Sequence, residues 1–256
     1  ISVLSGANEL GNFLFVGLVF IFVFSFYSLE FRAKHYWKLV FSLGIILLGL
    51  FLSMSRSSMI GFVTCILAIS FLRKGKTSLK KILVATAGIV ILALVLPFSL
   101  KTLFSPVHTF SDPYFEGIRS EDLWNTFREL PFLGQGFSIT GSAAEKLEIT
   151  ELGAVSVGGT DISFLEISMQ IGIIGFFLHF LIWFFFLKNA YFGGKNLSLS
   201  ENSRLTSIAI FGILIGLMVA SLHTSPWYYV SLSGTYWVLG AVATFCYQEA
   251  KKVEGQ

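Results

Sequence analysis

Apolar runs long enough to cross a bilayer constrain this chain more than any other feature. Leu10 to Leu29, Ile82 to Leu100 and Ser163 to Leu187 approach or exceed the roughly 20 residues that span a hydrocarbon core of about 30 Å. Backbone groups in such a core must be satisfied within the segment, so each run reads as a transmembrane helix. Of the 256 residues 54% are hydrophobic and only 13% are charged, which excludes an ordinary soluble domain.

Extending the reading along the chain gives seven spans, at about 10–29, 39–54, 57–72, 82–100, 163–187, 205–222 and 227–248. The expected fold is an all-α membrane protein, a polytopic helical bundle with one long extracytoplasmic loop at residues 101–162. No internal repeat or low-complexity tract separates a second domain, so residues 1–256 read as one transmembrane domain. Two short connectors are basic. Glu30 to Lys38 holds Arg32, Lys34 and Lys38, and Arg73 to Lys81 holds Arg73, Lys74, Lys76, Lys80 and Lys81. The positive-inside rule assigns both to the cytoplasm. Lys188, Lys195, Arg204, Lys251 and Lys252 then fall on the same side, leaving only five of the 18 basic residues outside. The net charge of +3 therefore reflects topology and not affinity for nucleic acid.

Cys65 and Cys246 both lie in apolar runs, and His35, His108, His179 and His223 are scattered without metal-ligand spacing. Neither a metal nor another cofactor is expected. The first run lacks an initiator Met, a basic leader and a cleavage site, so it is not a signal peptide, and the start reads as a truncation.

The candidate functional residues follow from their positions. Leu39 to Leu72 is apolar apart from small hydroxyl residues and Arg56, giving 34 residues or about 51 Å as one helix. One crossing cannot use that length. The chain is expected to turn near SMSRSS, with Arg56 at the outer membrane boundary. There a guanidinium either clamps a lipid phosphate with its planar fork, or snorkels to headgroups or closes an ion pair. Residues 101–162 are too long for a simple connection and hold nine of the 15 acidic residues. Within them, EDLWNTFREL places Leu123, Trp124, Phe127 and Leu130 at helical intervals, which predicts a short surface helix ended by Pro131 and the glycines of LGQG. Arg119 lies close by among carboxylates, where a solvated ion pair is the plain explanation. Asp161, after two glycines, can cap the helix that follows. In that helix Ser163, Glu166 and Gln170 form a polar stripe expected to face the bundle interior. His223, in SLHTSPWYY, falls in the short outer turn before the last span, and Trp227, Tyr228 and Tyr229 read as an interfacial aromatic belt.

Three ordered segments, LSMSRSSMIGFV, GIRSEDLWNTFRELPFLGQGF and TDISFLEISMQIGIIGFFLHFLI, together resemble the O-antigen ligase and polymerase family of bacterial polysaccharide assembly over roughly residues 45–190. SGANELGNFL is a weaker feature of the same kind, an Asn-containing start of a helix. The resemblance implies a metal-independent membrane glycosyltransferase in the bacterial cytoplasmic membrane, with its active site on the extracytoplasmic face. Its donor would be glycan carried on undecaprenyl pyrophosphate, its acceptor a second glycan, and its surroundings an assembly complex for lipopolysaccharide or capsule.

On that resemblance Arg56 matches the arginine of the family's Ser-Arg motif, and Arg119 the one ahead of the Trp and Pro-hydrophobic-Gly-x-Gly segment. Arg56, Arg119 and Asp161 are then the catalytic candidates, and Trp124, Glu166, Gln170 and His223 the substrate-binding ones. Ligases of the family carry His-Asn where this chain has Asp161-Ile162, which points to a polymerase-like member. Members usually have about a dozen spans, so the resemblance implies further N-terminal helices. A ligase, a lipid-linked glycan flippase and a non-catalytic scaffold subunit are the competing readings.

Overall fold

A computed structural model describes residues 7–53, 55–73, 132–134, 163–221 and 230–254. Regular structure among the described residues is all α-helix, with no strand. The helices are α1 (Ala7–Tyr27), α2 (Leu29–Leu52), α3 (Arg56–Arg73), α4 (Ser163–Lys195), α5 (Glu201–Ala220) and α6 (Val230–Glu254). Four segments are long and apolar enough to cross a membrane: Leu10–Tyr27, Leu29–Leu52, Gln170–Lys195 and Glu201–Ala220. A shorter apolar helix spans Ser57–Leu72. The chain is thus a helical membrane protein, while the expected span at 82–100 and the long loop lie outside the described residues, apart from 132–134.

One expectation is corrected. The basic segment Glu30 to Lys38, read as a connector, is helical and forms the first turns of α2. Ser28 ends α1 and caps α2, its Oγ accepting the Phe31 N–H at 3.3 Å. Arg, Lys and Glu are good helix formers, so the charge of this segment does not interrupt the helix. A local break at His35, with φ −126° and ψ 18°, falls within these basic turns, between Lys34 and Lys38. Similarly, α4 runs to Lys195, past the expected end at 187. A short turn follows, in which Asn196 Oδ1 accepts from Ser198 N–H at 2.9 Å and Ser200 Oγ accepts from Ser203 N–H at 3.2 Å to cap α5.

The described residues fall into two compact units, one holding α1–α3, α4 from Trp183, α5 and α6, the other holding residues 132–134 and α4 up to Ile182. In the first unit α5 is central, with Leu205, Ile208, Ile210, Ile213, Leu214 and Leu217 buried along it. It meets α3 at backbone level: a Cβ on Gly216 would lie 2.6 Å from Gly61 O, and one on Gly212 would lie 2.6 Å from Ile69 Cγ1. Glycines four residues apart let two lipid-embedded helices approach this closely and gain dispersion contact. The inner stripe of α1 joins Asn12 to Phe15, Val16, Val19 and Val23, whereas α2 buries only Leu39 and Leu50. Hydroxyls inside the helices bond back one turn, as in Thr64 Oγ1 to Ile60 O at 2.8 Å and Thr244 Oγ1 to Gly240 O at 2.8 Å. The Asn189 amide Nδ2 donates to Thr244 Oγ1 at 3.1 Å, tying α4 to α6.

Candidate functional site

The turn between α2 and α3 is built from hydroxyl groups. Ser53 N–H donates to Gly49 O at 2.9 Å, and its Oγ donates to Leu50 O at 2.7 Å, closing α2. Ser55 opens the next helix: its Oγ accepts from Ser58 N–H at 3.3 Å and its carbonyl accepts from Met59 N–H at 3.2 Å. Arg56 is therefore the first residue of an 18-residue helix. The turn expected near SMSRSS is present, and the two caps explain why the apolar stretch folds back there.

The hydroxyls continue as a network. Ser55 Oγ lies 2.6 Å from Ser58 Oγ and 3.2 Å from Ser57 Oγ, and Ser58 Oγ donates to Asn12 Oδ1 of α1 at 2.9 Å. With the Ser58 proton given to Asn12, the Ser55 proton serves Ser58 and the Ser57 proton serves Ser55. The run of donors ends on the amide. Asn12, Ser53, Ser55, Ser57 and Ser58 are all buried. Gly11 makes the close approach possible, because a Cβ there would lie 2.6 Å from Ser58 Oγ and 2.9 Å from Ser53 Oγ. Among the described residues no carboxylate bonds into this network, which can hold an anion at the positive end of α3.

In the other unit, α4 breaks at Gly172, where φ is +73° and ψ 176°. Gly134, with φ +81°, packs on the break: a Cβ on it would overlap Gln170 O, and one on Gly172 would overlap Phe132 O. Both glycines are needed for their backbone conformation and for contact of main chain with main chain. Gly134 of LGQG and Gly172 of GIIG thus act together.

Among the expected site residues, Gln170 is buried, 6% exposed, in the first part of α4. Glu166 lies in the same turns and Arg56 at the start of α3, with both side chains outside the described residues. Arg119, Trp124, Asp161 and His223 lie outside the described residues altogether. The described residues bring together Asn12 with the serines around Arg56 and, separately, Gly134 with Gln170 and Gly172. Asn12 and the serines were not among the expected site residues. The signal was an amide in an apolar run of spanning length, together with four serines around one arginine. No group of three His, Cys, Asp or Glu side chains suited to a metal occurs among the described residues.

Compared with known proteins, residues 41–180 match the model of a family described as O-antigen ligase, more than half of the 256-residue chain. No curated protein and no solved structure matches.

Proposed function

Because the chain belongs to the O-antigen ligase family, we propose that it is a metal-independent glycosyltransferase polymerising undecaprenyl-pyrophosphate-linked repeat units on the outer face of the bacterial cytoplasmic membrane. One observation carries the reading: Arg56, inside the matched segment, opens α3 at the helix end that favours negative charge. In this reading the chain acts as one membrane domain of seven spans with residues 101–162 outside.

The acceptor hydroxyl oxygen attacks the anomeric carbon of the donor glycan as the bond to the pyrophosphate oxygen breaks, inverting that centre. Asp161 takes the hydroxyl proton. The pyrophosphate departs on its lipid with a growing negative charge, which Arg56 and Arg119 neutralise in the role that Mg²⁺ has in soluble phosphoryl-handling enzymes. Trp124, Glu166, Gln170 and His223 border the sugars. Aspartate at position 161, where ligases of the family carry histidine, supports polymerisation. The family's own description keeps transfer of finished glycan to a different acceptor as the second reading.

The products left in cells lacking the protein decide between these activities. A polymerase defect leaves single lipid-linked repeat units on the outer face. Accumulation of full-length lipid-linked polymer would establish the ligase instead, and units retained on the inner face would establish a flippase.

A further inference from the structure

The Asn12 side chain is completely buried, and its Oδ1 is anchored by Ser58 Oγ at 2.9 Å. Its Nδ2 is buried as well, yet finds no acceptor among the described residues. An amide placed only to tie α1 to α3 would have both heads matched, since a buried donor left open weakens the fold. The anchored end fixes the open end beside the first turn of α3. There Ser55 Oγ already caps Ser58 N–H, while the two N–H groups ahead of it, those of Arg56 and Ser57, lack intrahelical acceptors and present a positive field.

We propose that Asn12 is a further donor-binding residue, whose Nδ2 joins the first-turn N–H groups of α3 in seating a phosphoryl oxygen. The inference rests on the glycan-transfer reading above and adds an uncharged hydrogen-bond donor from α1 to the arginines. Polarisation along Ser57, Ser55 and Ser58 strengthens that donor, because each hydroxyl in the run gives its proton toward Oδ1. Asn12 and the serines are buried in this structure, so the oxygen enters as α1 and the α3 turn part where Gly11 packs on the side chains of Ser53, Ser55 and Ser58.

The full chain in zwitterionic nanodiscs is titrated with a short-chain polyprenyl pyrophosphate and separately with inorganic pyrophosphate, following the midpoint of thermal unfolding. Stabilisation by both ligands, or by the polyprenyl compound alone, supports a phosphoryl seat and distinguishes its free from its lipid-linked source. Asn12→Leu should weaken binding by about 10- to 100-fold, the range for a hydrogen bond to a charged group. Without ligand its unfolding midpoint should stay near the parental one, because removal of the unmatched Nδ2 head offsets loss of the Ser58 bond to Oδ1. Asn12→Asp keeps the acceptor for Ser58 and should weaken binding at least as much. Parental affinity in either folded variant overturns the proposal, as does failure of both to fold, which would make Asn12 a structural tie. Arg56→Lys is titrated alongside. Loss of binding there with parental affinity in the Asn12 variants removes this inference alone, whereas absence of any effect of either ligand on the parental chain removes the glycan-transfer reading as well.

Discussion

Arg56 begins α3 directly after Ser55, and the proposed role depends on the shape of its side chain as well as its charge. A guanidinium can hold two phosphoryl oxygens at once, an ammonium only as a point charge. Arg56→Lys and Arg119→Lys are each expected to lower glycan transfer at least about tenfold, the loss from one charge-assisted hydrogen bond. Near-normal synthesis at matched membrane levels would make both arginines interfacial or structural. For Asp161 the two roles separate chemically. Asparagine caps a helix about as well as aspartate, so Asp161→Asn should leave stability nearly unchanged if capping is the whole role. An amide cannot take a proton near neutral pH, so loss of a general base should slow transfer by roughly 10²–10⁴-fold. Purified Asp161→Asn working at the parental rate would move the search to Glu166 and His223.

At the level of elements, two pairs of glycines decide how helices meet. Gly61 and Gly216 let α3 and α5 touch backbone to backbone, and a large side chain at either forces them apart. Gly216→Leu is expected to destabilise by about 1–3 kcal/mol, as overpacking does, or to prevent folding. Chemical denaturation in detergent micelles measures it, and an unchanged transition would mean that the contact is not part of the folded protein. Gly172 tests a different property, since its φ of +73° with ψ 176° is open almost only to glycine. Gly172→Ala should cost about 1–3 kcal/mol in backbone strain. The added methyl group would also meet Phe132 O, so residues 132–134 should lose their seat on α4. Faster proteolysis near residues 132–134 would report that release, and a parental cleavage pattern would count against the contact.

For the whole molecule, the basic residues predict that residues 101–162 face outward and that 73–81 face the cytoplasm. Cys65 and Cys246 are buried, so introduced thiols can be read against a quiet background. In intact cells whose outer envelope admits an impermeant thiol reagent, Glu145→Cys should be modified and Lys76→Cys protected. The reverse pattern would invert the topology.

Run length by itself determined that this chain forms membrane helices, because a bilayer accepts few other backbones. The same arithmetic placed a turn inside the 34 residues from Leu39 to Leu72, and the ordered motifs gave the family. Charge was less decisive: it marked Glu30 to Lys38 as a connector, whereas these residues form the first turns of α2. Apart from the polar stripe that ends at the buried Gln170, which face of each helix turns inward was not legible, since a run that is apolar on every side has no preferred face. Only the tertiary structure made α5 the centre, because its glycines permit an approach to α3 that bulkier residues forbid. Only it brought Asn12 to Ser58 across 46 residues of sequence and Gly134 to the break at Gly172. Such contacts depend on which small or polar atoms two helices present to each other, a property of the pair that neither sequence segment carries alone.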